Sequence, residues 1–170
     1  MDLLPEIVRR VSVREFVPKP IEGEVLDRIL DAGRLAPSAK NRQPWRFVVF
    51  RDAEKKARLQ EASFGQEHVG AAAAVIACCS TNTEYRMTNG QPAYPIDISM
   101  AASFMMLQAV REGLGTCIVT TYDESLVQDV VAVPYSMRVV LLLLLGYPAG
   151  EVSEHHERFS GSRIISFDHW

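Results

Sequence analysis

The chain alternates between segments whose apolar positions recur at helical spacing and short runs of uninterrupted aliphatics. Residues 2–10 read as a short helix. In "IEGEVLDRILDAGRLA", Val25, Leu26, Ile29, Leu30, Gly33 and Leu35 recur at helical spacing until Pro37 stops the segment. "WRFVVF" reads as a strand, "DAEKKARLQEAS" as a charged amphipathic helix starting on Asp52, and "AAAAVIACCST" as a second strand. From Ile96 to Glu112 the chain is apolar nearly all round, the pattern of a helix buried on more than one side, and a second subunit is one source of that burial. "GLGTCIVTTY" predicts a glycine-punctuated loop and strand, and "DESLVQDVVAV" a helix capped by Asp123. "MRVVLLLLLGYP" holds seven consecutive aliphatics between Arg138 and Gly146, as in a central strand covered on both faces. Helices and strands in this order predict an α/β sandwich. The polar tail, with one apolar run at 164–167, has little core of its own and is suited to wrap a partner.

At 170 residues, 48% hydrophobic and 23% charged, the chain is expected to form one globular domain over 1–170. No apolar run approaches the roughly 18 residues of a membrane span, and "MDLLPEIVRR" lacks the features of a secretory signal. A cytoplasmic location and no membrane partner are expected. Cys78, Cys79 and Cys117 are odd in number and two are adjacent, a poor basis for a disulfide framework. A net charge of -3 argues against a nucleic-acid partner.

The dinucleotide-binding, P-loop, zincin and hydrolase signatures are all absent. "EHHE" at 154–157 has neighbouring side chains that diverge, so a solvated tail is preferred to a metal site. Cys117 has no histidine nearby in sequence to act as its base and reads as a buried small residue. "RRVSVREF" is different. In an extended segment Arg10, Ser12 and Arg14 share one face, which offers a phosphate two guanidinium forks and a hydroxyl.

"RRVSVREF", "APSAKNRQPWRFVV", "GLGTC" and "LLLLLGYP", in that order over nearly the whole chain, resemble the FMN-dependent nitroreductase family. The resemblance implies an α+β fold, a three-layer α-β-α sandwich with a mixed central sheet. It also implies an intertwined homodimer with FMN at the subunit interface, and NADH or NADPH as donor. By the same resemblance Arg10 and Ser12 hold the FMN phosphate, Arg14 lies nearer the ring, and Arg158 is a second basic group for the phosphate, with His156 where a lysine or arginine is usual. Pro37, Ser38, Ala39 and Asn41 come to the flavin from the partner subunit, with Gln43 and Trp45 bracing their loop. Gln66 matches a glutamine at the pyrimidine edge of the ring, and Thr120 and Thr121 supply backbone near the flavin N5. Lys40 stands where glycine is common, and "VTTY" where many relatives have a glycine.

The implied activity is a ping-pong transfer of hydride from NAD(P)H through FMN to a small acceptor such as a nitroaromatic or quinone. No side chain is expected to act as a catalytic acid or base, and no metal is expected. Related scaffolds also carry out reductive dehalogenation, azoline dehydrogenation or flavin fragmentation, and a flavin-binding or ligand-binding homodimer without turnover is a third reading. Residues 81–95 are the candidate lid, with Tyr85, Arg86 and Tyr94 facing substrate.

Overall fold

The computed structural model describes residues 3–152 and 157–170. In chain order the elements are α1 (Pro5–Arg9), β1 (Phe16–Val17), α2 (Gly23–Arg34), a 3₁₀ turn (Ala39–Asn41), β2 (Trp45–Phe50), α3 (Ala53–Ala62) and α4 (Glu67–Ala71). There follow β3 (Ala74–Ser80), α5 (Tyr94–Arg111), β4 (Gly115–Val119), α6 (Glu124–Val131), β5 (Arg138–Pro148) and α7 (Gly161–Ile164).

The run of aliphatics forms β5, which pairs antiparallel with β3 on one side and with β4 and β1 as well, while β2 closes the far side of β3. Successive side chains point to opposite faces. Leu142 and Leu144 therefore enter one core and Leu141, Leu143 and Leu145 the other, while an irregularity in the pairing at Val140 puts Val139 with Leu142 and Leu144. Residues of β3 divide the same way, Val75, Ala77 and Cys79 against Ala74, Ile76 and Cys78. α3, α4 and α6 cover the first face through Leu59, Val69, Val127 and Val131, and α2 and α5 cover the second through Leu26, Ile29, Ile98 and Met105. The expected three-layer sandwich follows. All named strand pairs are antiparallel, and the parallel contribution to the sheet is the bridge between Ser12 and Thr116.

Asp52 and Asp123 cap α3 and α6 as their positions predict, accepting from the N–H groups of Lys55 and Leu126. One sequence expectation needs correction, and two segments are defined more closely. α2 ends at Arg34, so Leu35 lies past the helix and is exposed. Within one chain α5 is buried along one face, with Ile96, Met100 and Phe104 exposed on the face that the sequence assigns to a second subunit. The candidate lid at 81–95 has structure of its own: Met87 N–H donates to Gln91 O and Ala93 N–H to Tyr85 O, which builds a small hairpin with Gly90 at its turn. Among the described residues no helix is long and apolar enough to cross a membrane.

The segment joining α1 to β1 lies flat on the sheet. Val13 N–H donates to Thr116 O at 2.8 Å, and its side chain sits where a Cβ on Gly115 would stand, 2.6 Å from that position. Phe16 covers Gly146 in the same manner, also at 2.6 Å. Two absent side chains thus set the height of residues 11–17 over β4 and β5. Away from the sheet, Glu112 at the end of α5 receives Arg28 Nε and Nη2 of α2 at 2.8 and 2.9 Å, and Gln108 Nε2 at 2.8 Å.

Gly115→Ala is expected to cost about 1–3 kcal/mol, because the Val13 Cβ is part of the clash and a rotamer change cannot relieve it. Adding Val13→Ala should return part of that loss in a double-mutant cycle of urea melts; strictly additive effects would refute the contact. A second expectation concerns acid. The Arg28 guanidinium holds the Glu112 carboxyl at about 2, below its ordinary 4.5, so its contribution is present above the unfolded value and fades as pH falls toward about 2. Melting temperature across that window should fall less steeply for Glu112→Gln than for the wild type, and parallel curves would contradict it.

Candidate functional site

Because Val11 and Val13 turn toward the sheet, the intervening side chains turn away from it. Val13 is buried, Ser12 and Arg14 are exposed, and Arg10 is half-buried. Arg10, Ser12 and Arg14 line one cavity of about 530 Å³, completed by the stretch 148–152 after β5 and by Arg158 of the tail. The three residues of the period-two reading thus share a cavity with Arg158, which the family resemblance indicated. Among the described residues neither Arg10 nor Arg14 has a carboxylate within ion-pair distance, whereas Arg28, Arg34, Arg111 and Arg138 each do. Glu15 and Glu151 also line the cavity. His156, and residues 154–155 of the "EHHE" stretch, lie outside the described residues.

From Thr116, which Ser12 bridges, β4 runs to Val119, and Thr120 and Thr121 follow it, both exposed. Gln66, the residue preceding α4, reaches this end: its Nε2 donates to Thr121 O at 2.8 Å and to Ser63 O at 2.9 Å. It is therefore a tie between two loops rather than a free turn residue. Nearby, burial and then the positive charge of Arg14 lower the His68 pKa below the ordinary imidazole value, so His68 is neutral at pH 7. Burial raises the Cys117 thiol, offset in part by Arg14, so this cysteine is protonated and packed in the core as expected.

The remaining predicted residues stand elsewhere. Pro37, Ser38, Ala39 and Asn41 precede β2, whose first residue Trp45 pairs with Ser80, itself opposite Arg138. Ser12 lies at the other end of the sheet, level with Thr116 and Leu145. The stretch Arg138–Leu145 between them spans about 23 Å. One chain does not bring Arg10 and Asn41 to the same small molecule.

This second group has its own construction. Ser38 Oγ accepts the Gln43 N–H at 3.0 Å, Gln43 Nε2 donates to Asn41 Oδ1 at 3.2 Å, and Trp45 is buried below. Gln43 and Trp45 thus brace the loop. Lys40, Asn41 and Gln43 all have positive φ, at 52°, 52° and 48°, a conformation that costs non-glycine residues free energy unless the surroundings impose it. One imposing contact was missed by sequence reasoning. Asp97 of α5, 3% exposed, accepts the Ala39 N–H at 2.9 Å. A carboxylate inside a helix otherwise apolar nearly all round was the available signal, since buried charge is kept only where it is hydrogen-bonded.

The nitroreductase family model matches residues 7–94 and 65–147. A protein of Archaeoglobus fulgidus named as an NADH dehydrogenase/NAD(P)H nitroreductase is 31% identical over 175 residues, covering 96% of each chain. The NADH dehydrogenase of Thermus thermophilus is 28% identical over 97% of this chain and 95% of its own. A solved nitroreductase family protein of Clostridium difficile 630 matches the fold with a TM-score of 0.89 at 27% identity, with 100% of both chains covered. An FMN-dependent nitroreductase of Clostridium difficile R20291 matches with a TM-score of 0.86 at 25% identity, over 97% of this chain and 98% of its own. By its match to the family model and its identity to the Archaeoglobus protein over nearly its whole length, this chain belongs to the nitroreductase family.

Proposed function

We propose that the chain is an NAD(P)H-dependent FMN oxidoreductase, acting as a homodimer and passing electrons to a small acceptor such as a nitroaromatic or a quinone. The observation that carries this reading is the cavity in which Arg10, Ser12, Arg14 and Arg158 converge beside the end of β4. Its residues fit the cofactor: a phosphate takes bidentate guanidinium donors and a short hydroxyl, and neither Arg10 nor Arg14 is held by a carboxylate among the described residues. From Thr116 to Thr120 the strand advances about 13 Å, room for an elongated ligand lying along it.

Bound FMN would supply two-electron chemistry, hydride taken from NAD(P)H and handed to the acceptor in alternate half-reactions. The chain's own residues bind and bias. Arg10, Ser12 and Arg158 would hold the phosphate. Arg14 would place a cation that opposes the negative charge gained on reduction and so would raise the reduction potential. His68, neutral at pH 7, adds no second positive charge there. Gln66 holds the Thr121 carbonyl and with it the backbone of Thr120 and Thr121. Pro37, Ser38, Ala39 and Asn41 would close the cavity of a second copy, which is how residues at opposite ends of one sheet serve one ligand. Ile96, Met100 and Phe104 on α5, with Phe167 and Trp170 of the tail, are exposed apolar groups for that pairing to bury.

Arg10→Ala is expected to weaken FMN binding about tenfold or more, read by quenching of flavin fluorescence, while the flavin-free variant keeps the sedimentation and melting of the flavin-free wild type. Unchanged affinity would sink the phosphate assignment, and failure of the wild type to take up FMN would sink the whole reading. A yellow protein mixed anaerobically with NADH or NADPH should bleach. The loop anchor gives an independent expectation: Asp97→Ala should lower FMN affinity about tenfold by freeing Ala39, and Asp97→Asn, which keeps an acceptor, should recover most of it. Equal losses in both variants would show that the carboxylate does not act through that hydrogen bond.

A further inference from the structure

We infer that Lys40 and Arg42 form a subsite for an anionic group, a carboxylate or a phosphate, carried by the electron donor or acceptor, an inference that rests on the FMN reading above. Both cations gather on one ring. The Arg42 guanidinium carbon lies 4.1 Å from the centroid of Tyr85, and Lys40 Nζ lies 5.7 Å from it. Tyr85 itself is fixed at the base of the 81–95 hairpin, with its N–H on Asn82 Oδ1 and its carbonyl accepting from Ala93. A cation over an aromatic face is attracted to it and loses freedom there. Two cations held to one ring stand within about 10 Å of each other and lose freedom to it, which favours recognition of an anion.

Neither cation is neutralised. No carboxylate lies within ion-pair distance of Lys40 or Arg42 among the described residues, although the protein as a whole carries a net charge of -3. Glu84 is next in sequence to Tyr85, yet its Oε1 accepts from Thr83 Oγ1. Holding like charges together without a counter-ion costs free energy, and so does the positive φ of Lys40. A glycine at position 40 would remove both costs. Lys40 keeps a charge at a position where glycine would be the easier residue, on the loop assigned to face the flavin. An anionic substituent of the reacting molecule supplies the missing counter-charge through charge-assisted hydrogen bonds.

The test uses paired probes with the flavin-loaded protein. As acceptors, 4-nitrobenzoate is compared with neutral 4-nitrobenzyl alcohol; as donors, NADPH and NADH are compared with phosphate-free 1-methyl-1,4-dihydronicotinamide. In Lys40→Gln and Arg42→Gln the KM of the anionic members of one pair should rise about tenfold with the neutral member unchanged, and which pair responds identifies the source of the anion. Arg42→Lys should recover part of the loss, and the wild-type discrimination should shrink as ionic strength rises. Equal effects on anionic and neutral members, or none on either, would overturn the subsite. A second readout separates this from the flavin reading: titration with 4-nitrobenzoate and with adenosine 2′,5′-bisphosphate, followed through the Tyr85 ring resonances by NMR. A protein that takes up no FMN but shows shifts abolished by Arg42→Gln would support the anion subsite and defeat only the flavin assignment. No shift with either probe, together with no kinetic discrimination, would defeat the subsite itself.

Discussion

Burial of β5 on both faces is the constraint from which the rest of the molecule follows. Of seven successive aliphatics all but Val140 are buried, so a layer of helices must cover each face of the sheet. Fully burying each of these side chains is worth roughly 1.5–3 kcal/mol, which exceeds what any surface ion pair in the structure could contribute. The division of the core into two clusters is the alternation of one strand projected through the whole fold. Even the cradle obeys it, since Val13 and Phe16 lie down on the sheet only where Gly115 and Gly146 leave room, and that settling turns Ser12 and Arg14 outward.

An antiparallel sheet of this length also separates what the sequence places close together. Fewer than thirty residues lie between Arg10 and Pro37 in the chain, yet the two stand near opposite ends of β5. A ligand that needs both must come between two copies. The proposed pairing then explains features that look like defects in an isolated chain: an apolar stripe on α5 left in water, and a tail whose Phe167 and Trp170 are 80% and 93% exposed. Buried apolar area and completion of the site would be gained in the same event, so binding of the cofactor and association of the chains are expected to be thermodynamically linked.

Much of this could be read before any coordinates. The aliphatic run and "WRFVVF" became strands because apolar continuity over so few residues has few other uses, and Asp52 and Asp123 capped helices because their carboxylates can meet N–H groups that the first turn leaves unpaired. That Arg10, Ser12 and Arg14 share one cavity was legible through period two, whereas Arg158 was indicated only by the family resemblance. What the sequence hid was short or long-range. β1 and α4 are too brief to show a period, and the hairpin at 81–95 is held by hydrogen bonds among polar residues that hydropathy does not register. Asp97 was in plain view, but its partner, the Ala39 amide, is fifty-eight residues away. Nothing local indicates which backbone N–H a buried carboxylate will find.

That long-range partner decides the state of the 37–43 loop. Left to their own preferences, Lys40, Asn41 and Gln43 would avoid the left-handed region, where each non-glycine residue costs of the order of 1 kcal/mol. Against this stand the hydrogen bond from Ala39 to Asp97, the Ser38 hydroxyl on the Gln43 amide, and the two cations on Tyr85. All of these cross from the loop to itself, to α5 or to the hairpin, and none belongs to the core that stabilises β5. The sandwich can therefore tolerate change in the loop at little cost to global stability, while the loop depends on the sandwich to hold α5 and the hairpin in place. Such one-way dependence leaves Lys40 and Arg42 open to substitution at little cost to the sandwich, while residues 11–17 at the other end of the sheet stay tied to Gly115 and Gly146.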